Sequence, residues 1–238
     1  MTKSTAVAKD LEKNLAEFQA KAAANAAAAD AGSDSIQIIS TKHGRLTIGE
    51  REVPGGVLPA VVLNATVERS YYDSAYNSDK IVPPVCFALG EEPNALKPHE
   101  NVPEPVNDKC KGCPKAEFGT AAQGRGPACK TRMRLVLMPQ SAVDAPELIP
   151  EADLAMIKIS PTSVKNWTKY AMALTAKLPL FGAITDVKNA PSDKYMIEQS
   201  FTMNADSPII SKEMMGPIID RLEEAEEHAM RPWRYEDE

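Results

Sequence analysis

The chain has 238 residues, of which 43% are hydrophobic and 25% charged, and its formal net charge is −6. That length suits one sizeable domain with appendages, or two small domains. No run of apolar residues reaches the ~18–20 needed to cross a bilayer, so we expect no membrane segment. The first residues lack the apolar core of a secretion signal, and a cytoplasmic location is therefore expected.

Residues 1–34 are predicted to form an alanine-rich helical arm. Apolar side chains recur at intervals of three or four residues between Val7 and Ala22, which gives one narrow apolar stripe. Gly32 ends the pattern. An oligomerisation helix that makes a homo-oligomer, a tether and a frayed surface helix all fit this arm.

Residues 35–205 are predicted to be mainly β, within the α+β class. A hairpin is expected around Gly44, and a helix is expected to begin after Ser160 and to end before Pro179. Barrel strands are predicted near 58–72, 81–89, 131–138 with 154–160, 183–188 and 195–204. Because the helix precedes the last two strands, the order predicts an OB-fold-like Greek-key barrel.

Residues 206–238 are predicted to form a closing helix, from about Pro208 to Met230, and an acidic tail. Between Asp220 and Glu238 there are eight acidic residues and three arginines. Such a tail offers a docking segment for basic surfaces of other proteins, or a competitor for a basic surface of this chain.

Four cysteines, the only ones in the chain, predict a metal site: Cys86, Cys110, Cys113 and Cys129. The central pair forms a Cys-x-x-Cys turn with glycine between the thiols, which is the local form of a zinc knuckle. We predict a structural Zn²⁺ with four thiolate ligands, in an insertion at 86–130 between the second and third barrel strands. Disulfides, unrelated thiols and replacement of one ligand by His99 are the alternatives.

The cysteine segment is strongly basic although the chain is acidic. From Lys109 to Arg134 there are seven basic residues and a single acid, Glu117. Local basicity of this kind is the electrostatic footprint of a polyanion partner, and an ordinary solvated loop is the alternative.

Three motifs together resemble a group of bacteriophage single-stranded-DNA-binding proteins: Pro84–Phe87, Cys110–Lys115 and Gly124–Leu135. Proteins of that group contain zinc, have OB-like folds and belong to phage replication modules. The resemblance implies sequence-independent coating of single-stranded DNA during replication or recombination, in the host cytoplasm if the chain is phage-encoded. It also implies that the four cysteines bind zinc. Lys130, Arg132 and Arg134 lie where that group has a basic cluster, and replication enzymes would be partners of the acidic tail.

A single strand needs cations for its phosphates and aromatic faces for its unstacked bases. The basic candidates are Lys111, Lys115, Arg125, Lys130, Arg132 and Arg134. The aromatic candidates are Tyr71, Tyr72, Tyr76 and Phe118, together with Phe87, for which core packing is the competing interpretation.

Enzymatic activity is not expected. The zinc-deaminase signature fails because Lys109, not proline, precedes Cys110, and His99 and Glu100 are adjacent. No phosphate-binding glycine loop occurs, and Asp73, Asp79 and Asp186 are scattered. The remaining alternatives are an RNA-binding zinc-ribbon protein and a non-enzymatic virion or assembly protein with a structural zinc.

Overall fold

The computed structural model describes residues 36–41, 44–74, 82–192 and 196–233. The predicted arm at 1–34, the candidate Tyr76 and the tail from 234 lie outside these ranges. Within them, nine strands form one mixed sheet and the helices are few, so the prediction of a mainly β protein is confirmed. The described residues from Gln37 onward belong to one compact unit.

The strands follow the predicted segments closely. They are β1 (Gln37–Ser40), β2 (Thr47–Ile48), β3 (Arg51–Glu52), β4 (Val57–Tyr71), β5 (Cys86–Gly90), β6 (Lys130–Pro139), β7 (Ala155–Ile159), β8 (Ile184–Ser192) and β9 (Met196–Met203). The segments 131–138 and 154–160 were predicted to share one barrel position. They are instead two separate, neighbouring antiparallel strands, β6 and β7.

Strand β4 is the centre of the sheet. The strand order is β3-β2-β1-β7-β6-β4-β8-β9, and β5 pairs with β4 beside this path. One edge of β4 pairs with β6 along most of its length, while the other edge pairs first with β8 and then with β5. All of these ladders are antiparallel, and only β1 and β7 run parallel among the described ladders. The sheet therefore contains more strands than the five expected.

Alternation of side chains places the core on one face of the central strands. Val67, Leu135 and Ile157 are at most 4% exposed and belong to one buried cluster. A register shift between Val62 and Asn64 interrupts the ladder of β4 with β6, and a bulge of this kind bends a strand.

The sheet curls, so that residues near its two ends come into contact. Gly44, between β1 and β2, has a positive φ of 78°, and a Cβ added there would lie 2.9 Å from Cδ1 of Ile197 on β9. Two strands that are far apart in the strand order are therefore close in space. This curvature is compatible with a barrel-like fold.

The described helices are α1 (Gln140–Asp144), α2 (Val164–Thr175), α3 (Lys212–Ile219) and α4 (Leu222–Met230). The predicted helix after Ser160 corresponds to α2, whose Trp167 packs edge-on against Phe201 of β9 at 5.2 Å. No helix of the described residues is long and apolar enough to cross a membrane.

The single closing helix predicted from Pro208 to Met230 is wrong in its extent. Two helices occupy this region, and they meet at Asp220 and Arg221. The Arg221 side chain donates to the carbonyl oxygens of Ile149 at 2.5 Å and Ala152 at 3.0 Å, and also to the Glu224 carboxylate on the second helix. Helix α4 then packs on the outer face of β4 and β6, where Ala225 and Ala229 are fully buried.

Candidate metal centre and nucleic-acid interface

The four cysteines line one pocket at the end of the central strands. Cys86 begins β5 and pairs with Tyr71, the last residue of β4, while Cys129 immediately precedes β6. Cys110 and Cys113 reach the same pocket from the long connection between these strands. All four are free thiols. The expected convergence of two strand ends and one knuckle on a single pocket is therefore seen.

The knuckle itself is a tight turn. The Cys113 amide donates to the Cys110 carbonyl at 3.4 Å, and Gly112 has a φ of 78°, which favours glycine because it has no Cβ. Two backbone hydrogen bonds fix the turn to its surroundings. The Cys110 amide donates to the Leu96 carbonyl at 3.0 Å, and the Cys129 amide donates to the Lys115 carbonyl at 2.7 Å.

Burial and mutual repulsion disfavour thiolates in this pocket. Burial raises the pKa of Cys129 to about 12, with a further increase from Cys110, whereas the Arg69 charge lowers it. Burial also raises the pKa of Cys86 and of Cys110, and Arg69 again acts in the opposite direction on Cys110. The thiolate forms of Cys86, Cys110 and Cys129 are therefore disfavoured, and a metal that replaced their protons would offset this cost.

The donor chemistry of the pocket fits a closed zinc site. In the described part of the chain, four sulfur donors and no acidic side chain line it, which is the ligand set of structural zinc. Among the described residues, no three His, Cys, Asp or Glu side chains already stand in a metal-holding arrangement. His99 is not among the lining residues. Its ring stacks on Phe87 at 4.9 Å, and its Nδ1 accepts a hydrogen bond from the Asn101 amide.

Basic side chains surround the pocket and the loop that follows it. Lys111 and Arg125 are exposed, and Lys130 is half-buried at the start of β6. Lys115 lines the pocket, and its Nζ lies 5.1 Å from the centre of the Tyr71 ring, within cation–π range. One face of Tyr71 is therefore already covered by a cation of the same segment.

Phe118 is the most open aromatic candidate. Its side chain is 84% exposed, and it lies between Lys115 and Arg125 in the basic loop. The loop is ordered by its own hydrogen bonds, because the Gly119 amide donates to the Arg125 carbonyl at 2.9 Å and the Ala128 amide donates to the Thr120 hydroxyl at 2.9 Å. The exposed ring thus stands on a defined loop.

The other aromatic candidates are less accessible. Phe87 is 1% exposed and belongs to the core. Tyr72 is half-buried, and burial, with a smaller contribution from Glu68, raises the pKa of its phenol. Tyr76 lies outside the described residues.

The expectation that Arg134 contacts phosphate needs correction. Arg134 is 3% exposed, and its Nε lies 2.5 Å from Oε2 of Glu68, which is itself fully buried. Its Nη1 donates to the carbonyl oxygens of Ala229 at 3.0 Å and Arg231 at 2.6 Å. Arg134 therefore attaches the end of α4 to the sheet. Its neighbour Arg132, which pairs with Glu68 across the ladder, is half-buried.

A third cation completes this buried cluster. Lys158 Nζ lies 3.3 Å from Glu68 Oε2 and 4.5 Å from the centre of the Trp233 ring. Burial would raise the pKa of Glu68, but Arg134 and Lys158 together lower it below its ordinary value. Burial lowers the pKa of Lys158 in spite of Glu68. Arg134 is the closer partner of the carboxylate, because its Nε lies 2.5 Å from Glu68 Oε2 and Lys158 Nζ lies 3.3 Å from the same atom.

Sequence reasoning missed this cluster and Arg69, which lines the cysteine pocket. Adjacent Glu68 and Arg69 interrupt a strand that is otherwise rich in Val, Leu and Ala, and two charges inside such a strand were the available signal. No protein-family model, no curated protein and no solved structure matches this chain.

Proposed function

We propose that the chain is a non-enzymatic, sequence-independent single-stranded-DNA-binding protein of DNA replication or recombination, with one structural Zn²⁺ bound by its four cysteines. The observation that carries the proposal is the display of Phe118, 84% exposed, on a basic loop that begins at the cysteine pocket. An exposed ring flanked by cations suits a base that stacks while its phosphates are neutralised.

Zinc would serve as a staple for this loop. Cys86, Cys110, Cys113 and Cys129 would hold it, and four thiolates leave no open position for a reacting water. We also propose that the sheet is a barrel of the OB type, enlarged by β1–β3, in which the cysteine segment is an insertion between β5 and β6.

The proposed interface consists of the basic loop at 109–130 and of Arg132 at the adjoining end of β6, and not of the part of the outer sheet face that helix α4 covers. Helix α4 covers that face at β4 and β6, and Arg134 is used there by Glu68. The remaining basic candidates are Lys111, Lys115, Arg125, Lys130 and Arg132, with Phe118 as the stacking residue and Tyr71 beside it.

Fluorescence anisotropy tests the proposal with zinc-loaded protein and three labelled probes of ~30 nucleotides: a single DNA strand, its duplex and the matching RNA. We expect the DNA strand to bind most tightly, with an affinity that falls steeply as salt increases. A preference for RNA would favour the RNA-binding alternative. Absence of binding to all three probes would contradict the proposal. The remaining alternative would then be a virion or assembly protein with a structural zinc.

A charge-removing pair locates the interface. The double substitution of Lys111→Gln and Arg125→Gln should weaken binding and reduce the salt dependence, by about 0.7 in the logarithmic slope for each lost phosphate contact. The matched control is Lys165→Gln with Lys169→Gln on α2, because these lysines are also exposed but lie outside the basic loop. Equal effects of the two pairs would contradict the placement of the interface.

A further inference from the structure

We propose that Arg69 is the charge-compensating residue of the cysteine site. Its guanidinium would offset the negative charge of the metal-bound thiolates. The same group would hold the knuckle in place by its hydrogen bond to the backbone carbonyl of Cys110. The inference rests on the proposed zinc site.

The position of Arg69 places its charge beneath the knuckle. The residue lies on β4, paired with Ala88 of β5 on one side and with Thr131 of β6 on the other. Its side chain lines the same pocket as the four cysteines. Its Nη1 donates to the carbonyl oxygen of Cys110 at 2.9 Å, which connects the rigid centre of the sheet directly to the turn between the thiols.

The guanidinium retains hydrogen-bonding capacity towards the site. Its Nε is buried and has no hydrogen-bond partner among the described residues. An arginine carries five N–H donors in a fixed plane, and a metal-bound thiolate accepts such hydrogen bonds. One donor of Arg69 therefore holds the Cys110 carbonyl, and its Nε–H has no partner within the described ranges.

The charge balance of the pocket identifies what Arg69 compensates. One Zn²⁺ and four thiolates carry two net negative charges, and a charge that is removed from water is costly unless an opposite charge accompanies it. The lining residues include three cations, Arg69, Lys109 and Lys115, and no acid. Lys109 is exposed and Lys115 stands over the Tyr71 ring, which leaves Arg69 as the cation fixed by the sheet.

Metal competition against a chromophoric chelator tests this role in the full chain. We expect Arg69→Gln to bind Zn²⁺ at least about tenfold more weakly than the native protein, because loss of an outer partner of the ligands typically costs 10–100-fold in affinity. Arg69→Lys keeps the charge without the planar fork and should lie between the two. Arg45→Gln is the matched control, since Arg45 is 67% exposed and should leave the affinity unchanged.

Cobalt substitution separates charge compensation from a loss of ligands. The visible absorption of bound Co²⁺ reports how many thiolates hold the ion. We expect the native four-thiolate spectrum in Arg69→Gln, reached at higher metal concentration. Native Zn²⁺ affinity in this variant would overturn the inference. If Arg69→Gln does not fold, Arg69→Met takes its place, because methionine keeps an aliphatic stem without the charge, and a native affinity in that variant would likewise overturn the role.

Failure of the inference differs from failure of the proposed zinc site. If the native protein binds neither Zn²⁺ nor Co²⁺ tightly, the proposed zinc site is wrong and the role of Arg69 falls with it. If the native protein binds zinc and Arg69→Gln binds it equally well, only the inference is wrong.

Discussion

An aromatic ring that is 84% exposed contributes little to folding, so the stability of the protein does not explain Phe118. We predict that Phe118→Ala weakens binding of a single DNA strand by about 1–3 kcal/mol, roughly 5- to 150-fold, and leaves the free energy of unfolding unchanged. Anisotropy titration and urea unfolding measure the two quantities. Met172→Ala is the matched control because Met172 is 69% exposed on α2, outside the basic loop. Equal affinities of Phe118→Ala and native protein would contradict the stacking role.

Glu68 presents the opposite case, a charge with no access to water. Replacement by glutamine leaves Arg134 buried without its counter-charge, and we predict a loss of about 3–5 kcal/mol in the free energy of unfolding. Glu52→Gln is the control, because its ion pair with Arg45 is exposed and should matter by at most about 1 kcal/mol. Urea unfolding at neutral pH measures both. A loss of similar size in the two variants would contradict the role of Glu68 as the counter-charge of buried Arg134.

The same carboxylate predicts a pH dependence. Since the pKa of Glu68 is lower in the folded protein than its ordinary value of 4.5, its contribution is complete above pH 4.5. The contribution is lost as the pH falls from 4.5 through the lowered folded value, because the unfolded chain then binds the proton first. We therefore expect the stability difference between native protein and Glu68→Gln to shrink on acidification from pH 7 to about pH 3. A difference that is constant over this range would show that Glu68 does not titrate as described.

At the scale of elements, the cysteine loop and the sheet should differ in their dependence on metal. The connection from β5 to β6 is held by turn and loop hydrogen bonds and, as proposed, by the metal, whereas β6 is paired with a strand along both edges. We predict that a strong chelator accelerates hydrogen exchange across 109–129 and leaves β6 and β7 protected. Mass spectrometry of exchanged peptides measures this. Uniform acceleration through the sheet would instead mean that the metal, if bound, stabilises the whole unit.

The sequence predicts the bounds of single strands better than it predicts which strands pair with each other. The bounds of β4 and β6 follow from continuous apolar runs flanked by Pro/Gly-rich turns, which are local signals. The parallel pairing of β1 with β7 depends on residues far apart in the chain, and no local pattern specifies it. The same holds for the site. The Cys-x-x-Cys turn is visible locally, but Arg134 is distinguished from Arg132 only by Glu68 and the end of α4, which folding brings to it.

At the scale of the whole molecule, the curvature of the sheet can be tested by adding one methyl group at Gly44, where the two ends of the sheet meet. We predict that Gly44→Ala destabilises the protein by about 1–2 kcal/mol, since its Cβ would lie 2.9 Å from Ile197 Cδ1 and its φ is positive. Gly49 also has a positive φ, but a Cβ added there would meet no atom within 4 Å. Gly49→Ala therefore measures the backbone cost alone. Ile197→Val removes Cδ1 and should recover part of the loss in the double variant. Urea unfolding of the native protein, the three single variants and the double variant of Gly44→Ala with Ile197→Val provides the comparison. If Gly44→Ala costs no more than Gly49→Ala, the two ends of the sheet do not meet as described.

The parallel ladder between β1 and β7 has a consequence for the order in which the chain folds. A ribosome releases Gln37 long before its partner Ala155, so the edge of β1 that does not face β2 must wait unpaired while β4, β5 and β6 are made. The central antiparallel strands can associate earlier, because their partners follow at shorter separations. Proteins whose pairings are this distant in sequence fold slowly, in milliseconds to seconds. We therefore expect β1–β3 to join the sheet only after β4, β5 and β6 have paired, and the growing chain to expose the unpaired edge of β7 to chaperones until they do.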